Sequence, residues 1–396
     1  MATVQAAWWQ LLNEIIAELE QAQIDYTLLE ESALFVQGVE MPPPTILKFS
    51  VQWDLFERAY ALFQPYAPGD REREKGQERF SFRLGDVNAQ ICCYYNTVVV
   101  TDPDRLTIEH QGRRIPVKAL DYYLRTLPAH DARYGAIKRH LHALHQHNSR
   151  LNETAWNTGA YNAWVARFGT PVEAAEYIRK DPQARLGSLT RHLGPLEGRQ
   201  VINLLGSHGG RAIAMALLGA HVTIVDMASE NARYASEVAA AAGVPLRYLV
   251  TDVLNLPVDE INGSYGLVLM ELGILHYFVD LEPLITIISG LLRSGGRLVL
   301  QDFHPVTAKL ISSKGKKHKV SGNYFDKAMT TTNVAHSKHL EVQKPGQVYL
   351  KQWTLGEVVS AIAAQDLRIR LLEEEPNNKI DDTGLPKVFT IVAEKL

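Results

Sequence analysis

The chain has 396 residues, 46% hydrophobic and 21% charged, with a formal net charge of -3. That length exceeds one ordinary core, so two domains are expected, and the nearly balanced charge excludes a general polyanion binder. Two adjacent cysteines, Cys92 and Cys93, exclude a disulfide framework or a cysteine zinc site by count, and no stretch approaches the roughly 18 apolar residues of a membrane span.

In chain order, residues 1–130 read as an α+β domain: a helix (WWQLLNEIIAELEQA), two strands (YTLL, TILKFSVQ), a helix (WDLFERAYALF), short β segments between Phe80 and Ile115, and a helix starting near Val117. Residues 131–158 read as a helical linker, basic and dotted with histidines. From 159 to 396 strand and helix alternate. The strands are VINLL, HVTIVD, LRYLVTD, YGLVLMEL and GRLVLQDF, with helices over 211–218, 230–242 and 281–292 between them. Such alternation with nearly continuous apolar strands predicts a doubly wound parallel sheet covered on both faces. No basic n-region leads an apolar run at Met1 to Trp9, so a cytoplasmic protein without membrane contact is expected.

In a doubly wound sheet, ligands bind outside the carboxyl ends of the strands, where the first β-α turn meets a helix N-terminus. Here that turn is Gly206, Ser207, His208, Gly209 and Gly210. Small residues let backbone N–H groups approach a ligand, and the helix from Arg211 lends its dipole to a carboxylate or phosphate. The second strand ends in Asp226, placed to accept from ribose hydroxyls, and the third in Asp252, placed to accept from an exocyclic amine. Two acids at successive strand ends suggest an adenosine-containing ligand. Nicotinamide and S-adenosylmethionine cofactors both fit that description.

The order YNAW, VINLLGSHGG with GAHVTIVD, LVTDV, LMELGILHYFVDLEPL, LLRSGGRLVLQDFHP and a closing helix and two strands resembles class I S-adenosylmethionine-dependent methyltransferases of the small-molecule type. The resemblance covers about three-fifths of the chain, from Tyr161 on. It implies a seven-stranded Rossmann-like sheet whose last strand is inserted antiparallel, with a cap insertion near 306–350. It also implies S-adenosylmethionine held by Gly206, Ser207, His208 and Gly209, by Asp226 with Met227 at the ribose, by Asp252 with Val253 at the adenine, and by Glu271 with Leu272 beside the sulfonium; Tyr161, with Trp164, either covers the cofactor or packs the first helix against the sheet. The family's acidic-x-G-x-G-x-G loop is altered here: Asn203 stands for the acid, and Leu205 and Ser207 for two glycines. A nicotinamide-dependent oxidoreductase, or a non-catalytic cofactor-binding or assembly module, stays open as an alternative.

Methyl transfer from a sulfonium is an in-line displacement governed by geometry and exclusion of water, and a base is needed only for an acceptor that must lose a proton. His276 and His304, just past the fourth and fifth strands, are the candidates. The alternative is that both hydrogen-bond loop backbone. On the linker helix only His142 and His145 share a face among its close histidines, so a solvated helix without metal is expected there. The run KGKKHK, 314–319, is a solvated loop or an attractor of an acidic substrate or RNA, and of these the solvated loop is expected, with nucleic acid not expected as a partner. The first domain is similar to a nucleotidyltransferase fold, but Leu47, Lys48, Phe49 and Ser50 stand where two metal-binding acids would be required. The expected jobs of such a degenerate domain are substrate capping, partner binding or homodimerisation.

Overall fold

The computed structural model describes residues 2–314, 317–340, 344–376 and 384–396. Contacts divide the chain into two units, Met1–Ala143 with Phe325–Ala328, and Leu144–Tyr324 with Met329–Leu396. None of the helices among the described residues is long and apolar enough to cross a membrane.

The first unit is built on a seven-stranded mixed sheet. Tyr26–Leu28 runs antiparallel to Ile46–Val51 and parallel to Arg113–Lys118, and Ile46–Val51 runs parallel to Val87–Tyr94. Helix Ala2–Gln21 buries Leu12, Ile15, Ile16 and Leu19, an i, i+3, i+4, i+7 stripe. The short helix Glu30–Val36 lies between the first two strands. Its seven residues are too few to show a period, and Leu29 at its start offers no side-chain cap. Strand Ile46–Val51 presents Lys48 and Ser50 and no carboxylate. Cys92 and Cys93 are both buried free thiols, and burial pushes each up to about 11.

The second unit holds the alternating elements. Its strands are β1 (Gln200–Leu204), β2 (His221–Asp226), β3 (Arg247–Val250), β4 (Tyr265–Glu271), β5 (Leu292–Phe303), β6 (Leu367–Pro376) and β7 (Pro386–Lys395). The sheet order is β3-β2-β1-β4-β5-β7-β6. Neighbours from β3 to β5 pair in parallel, and β7 enters antiparallel between β5 and β6. The order reverses between β1 and β4, which opens a crevice at their carboxyl ends. The helices are α1 (Ala132–Trp156), α2 (Ala160–Phe168), α3 (Pro171–Lys180), α4 (Gly210–Leu217), α5 (Ser229–Ala242), α6 (Leu281–Leu291) and α7 (Leu355–Ala363). One core packs Trp164, Ile178, Ile213, Met215, Tyr234 and Val238 against one face of the sheet. The other packs Leu284, Ile285, Ile288, Val358 and Ile362 against the opposite face. Apolar residues on both faces of β1, β4 and β5 are what such double cover demands.

The boundary between the units falls inside α1, a continuous helix of 25 residues. The solvated character expected of it fails for its second half. His145, Asn148 and Asn152 are buried there, because they share one helical face. The insertion after β5 forms two antiparallel hairpins, Ile311–Lys314 with Lys317–Val320 and Met329–Asn333 with Gln347–Lys351. Part of the lysine run, 315–316, lies outside the described residues. Asn152 ties α1 to the second hairpin twice, donating to the Tyr349 carbonyl at 3.2 Å and accepting from the Tyr349 N–H at 2.7 Å.

Candidate active site

The turn after β1 keeps a glycine-loop backbone with only part of the glycines. Leu205, Ser207 and Gly209 have φ of 50°, 48° and 76°. For the two non-glycine residues the left-handed region costs roughly 1–2 kcal/mol each. The turn is also crowded. A Cβ on Gly206 would lie 2.8 Å from Asn203 Oδ1, and one on Gly209 would lie 2.8 Å from Ala235 Cβ. Asn203 is fully buried and donates to the Leu269 carbonyl at 3.2 Å, which pins β1 to β4.

Asp226 closes β2 and holds the turn from the side. Its carboxylate accepts from the N–H of Ser207 at 3.0 Å and of Ala228 at 2.9 Å, and from Asn231 Nδ2 at 3.2 Å. Burial raises its carboxyl above the usual range, against the pull of those three donors. Asp252, after β3, is treated differently. It accepts from the Leu254 N–H at 2.8 Å, from His145 Nε2 at 3.0 Å and from the Ser149 hydroxyl. Burial pushes it up, yet His145, Ser149 and the Leu254 N–H outweigh burial and leave it below the usual carboxylate range.

His145, Ser149 and Asn152 of α1 line a cavity with Leu205, Asp226, Met227, Asp252, Val253, Tyr277 and Phe278. Its volume is about 10 Å3, room for roughly one water. Beside it is a depression of about 340 Å3, bordered by Gln146, Ser149, Arg150, Met227, Thr251 and Asp252. The donor and acceptor set suits a nucleoside. The inner cavity as it stands is too small to hold one.

At the end of β4, Glu271 forms an ion pair with Arg211 from the first turn of α4. Burial, with Arg185 nearby, brings the Arg211 guanidinium down to about 10. Leu272 follows with φ of 49°. The next turn is fixed by Asp302, whose buried carboxylate accepts from the N–H groups of Gly273 at 2.6 Å, Ile274 at 3.3 Å and Leu275 at 3.0 Å. As a result the segment 275–278 faces two ways: Tyr277 and Phe278 line the small cavity, and Leu275 and His276 line a second one of about 190 Å3. Phe303, Leu350, Trp353, Val358 and Phe389 supply much of the rest of that lining. Burial lowers the His276 imidazole below its ordinary value, against the pull of Asp302.

Three proposed site residues lie elsewhere. His304 is buried and lines neither cavity; its Nε2 meets Glu374 at 2.6 Å and its Nδ1 accepts from the Val306 N–H at 3.2 Å, so both nitrogens are committed. His208 turns its ring away from the crevice against Trp164 and Phe168, and burial with Arg185 and Arg167 lowers it to about 3. Tyr161 bonds Glu237 through its hydroxyl and packs edge-on against Tyr234, holding α2 to α5.

Among solved structures, the chain is similar to an S-adenosylmethionine dependent methyltransferase from Mesorhizobium loti, at 18% identity over 54% of this chain and 99% of that one, with a TM-score of 0.42. It is similar also to magnesium protoporphyrin IX methyltransferase from Synechocystis PCC 6803, at 17% identity over 63% and 100%, with a TM-score of 0.40. A curated relative, ubiquinone biosynthesis O-methyltransferase of Rhizobium etli (strain CIAT 652), is 30% identical over 126 residues, 32% of this chain and 49% of that protein. The chain thus spans about half the length of that relative. Residues 205–300, which run from the altered turn through β5, match the family model described as a methyltransferase domain. The chain carries a methyltransferase domain.

Several residues that line these two cavities or stand beside them carry little signal in the sequence. Ser149 and Asn152 follow His145 at i+4 and i+7, so one polar stripe on α1 was visible in principle. Tyr277, Phe278 and Trp353 look like any core aromatic until the methyltransferase fold brings them to the crevice or the second cavity. Arg211 carried no signal beyond its place after the glycines.

Proposed function

We propose that the protein moves a methyl group from S-adenosylmethionine to a small-molecule acceptor that gives up a proton, with a hydroxyl as the acceptor class. The observation that carries this reading is the pair of cavities on opposite sides of the segment 275–278, at the carboxyl ends of β4 and β5. One side carries the acids a nucleoside requires. The other is apolar and aromatic around an imidazole. When bound, the cofactor supplies an electrophilic methyl on a good leaving group. Asp226 with Met227, and Asp252 with Val253, would hold its nucleoside, and the 205–209 turn its thioether side.

His276 has the base role. Its lowered pKa leaves it neutral near pH 7 and able to take a proton from a hydroxyl in the second cavity. Asp302 is committed to backbone N–H groups, so it positions the His276 turn instead of competing for the proton. Trp353 and Phe389 line that side with apolar surface, which keeps the hydroxyl from being outcompeted by water as acceptor. This reading places the enzyme in the cytoplasm, working as two domains without a metal ion or nucleic acid. It leaves the first unit, whose strand Ile46–Val51 lacks carboxylates, with capping, partner binding or dimerisation.

Calorimetric titration with S-adenosylhomocysteine tests the cofactor, and transfer of a labelled methyl group to a panel of phenols and aliphatic alcohols tests the acceptor. No binding at millimolar concentration overturns the reading. Binding without transfer to any proton-bearing acceptor overturns its catalytic half and favours a non-catalytic cofactor-binding module.

A further inference from the structure

Arg185 belongs to a short helix, Pro182–Leu186, that packs against α4. Gly210 makes room for its guanidinium: a Cβ there would lie 2.6 Å from Arg185 Nη2 and 3.0 Å from Nε. The side chain is half-buried, and its Nε is shut off from solvent without a hydrogen-bond partner among the described residues. No Asp or Glu is among the groups that act on its charge, whereas Arg167 adds like charge. Glu173, on α3, turns to its own helix start, accepting from the Thr170 N–H at 2.7 Å and the Thr170 hydroxyl at 2.8 Å. An unpaired cation taken partly out of water works against the fold, so stability does not explain Arg185. Beside it is a cavity of about 30 Å3, room for roughly two waters. Phe168, Tyr177, Ile178 and Tyr234 give it apolar surface, and Arg185 and His208 bring nitrogen donors. The guanidinium faces the Phe168 ring, 5.3 Å from its centre, and Tyr234 commits its hydroxyl to the Gly169 carbonyl at 3.0 Å. His208 Nδ1 accepts from the Gly210 N–H at 3.3 Å, and burial beside the arginines keeps the ring neutral, so its proton is on Nε2. The residues around this cavity line neither the nucleoside cavity nor the one around His276.

We propose that Arg185 and His208 form a binding site for the carboxylate of a small organic acid, separate from the crevice at the strand ends. A carboxylate is planar and singly charged, which suits the two parallel N–H groups on one guanidinium edge and leaves an oxygen for the imidazole donor. The walls are otherwise apolar, so a divalent phosphate would keep oxygens without donors and a charge without a counterpart. The cavity takes the carboxylate group itself, and the rest of the acid leaves toward Tyr177, the exposed member of the lining. Entry of the anion supplies the charge that Arg185 lacks. The assignment stands on these residues and does not depend on the methyl-donor reading.

The test is saturation-transfer NMR on the methyl protons of acetate with the full chain. The unaltered protein should bind acetate, and Arg185→Met should weaken that binding by roughly 10-fold or more, since a charge-assisted two-point contact is lost. Arg185→Lys should keep part of it. Gly210→Ala, whose added methyl displaces the guanidinium, should weaken acetate in the same way. Neither inorganic phosphate at equal concentration nor saturating S-adenosylhomocysteine should displace the acetate. Binding unchanged in Arg185→Met overturns the proposal, as does the absence of any signal up to about 0.1 M acetate. If the variants do not fold, the unaltered protein still decides: displacement by phosphate overturns the carboxylate assignment, and displacement by S-adenosylhomocysteine moves the acetate into the crevice and overturns the separate site.

Discussion

Asp226→Ala should cost the fold as well as the ligand. The carboxylate is the acceptor for three donors, the N–H groups of Ser207 and Ala228 and the Asn231 amide, at 3.0, 2.9 and 3.2 Å. Hydrogen bonds to a charged group are worth roughly 1.5–3 kcal/mol each, but the site lies at a crevice where water replaces part of what is lost. A net loss of about 2–4 kcal/mol follows, reduced by the desolvation that already raises this carboxyl. At roughly 2–4 °C per kcal/mol for domains of about 150–250 residues, the midpoint should fall by about 5–15 °C. A carboxylate at a crevice rim would have been expected to matter for ligand alone, and its inward bonds are the reason it does not. Scanning calorimetry with and without S-adenosylhomocysteine separates the two effects, since affinity should also fall by tens to several hundred fold. A variant as stable as the parent would show that the Ser207 and Ala228 N–H groups are satisfied by water, and that the turn is not held from β2.

Asp252→Asn should flatten the acid limb of stability. The folded carboxyl titrates below its usual range, so the stabilisation is fully present above the unfolded value of about 3.9 and is lost as pH falls through the lower folded value. Urea unfolding at pH 7 and pH 3 should show the gap between parent and variant closing; a constant gap refutes the linkage. His276→Ala should lower kcat by roughly 10²- to 10⁴-fold and leave S-adenosylhomocysteine affinity within about twofold, since the ring faces the second cavity. Equal loss in kcat and cofactor affinity would move His276 to the cofactor side. Ser207→Gly should stabilise by about 0.5–1 kcal/mol through relief of the positive φ, less the entropy a glycine adds to the unfolded chain. A loss of stability in chemical denaturation would show that the Ser207 backbone is not strained.

The second unit was readable because its strands announce themselves. VINLL, HVTIVD and YGLVLMEL are apolar on both faces, and punctuation by Gly206, Asp226 and Asp252 marks the carboxyl ends of the strands. What the sequence could not convey was direction. His208 and Asp226 are neighbours of the same crevice by position, yet the ring of one turns outward to Trp164 and the carboxylate of the other turns inward to its own backbone. Nor does periodicity report long-range pairing. His145 sits 107 residues before Asp252, in a helix whose charged and histidine-rich residues read as solvated. His276 and His304 looked equivalent because both follow a strand. Glu374 from β6 then takes one of them, and that pairing depends on β6 and β7 closing beside β5.

The segment from Leu275 to Phe278 is a shared wall only a few residues thick, with one room on each side. Such a wall makes the rooms sequential in time. A nucleoside in the first room would bear on Tyr277 and Phe278, next to the turn that Asp302 holds at Gly273, Ile274 and Leu275. If that load reaches His276, the second room takes its working outline only after the first is filled. Steady-state kinetics should be ordered, cofactor on first, with the acceptor competing poorly for the empty enzyme and S-adenosylhomocysteine competing with the methyl donor alone.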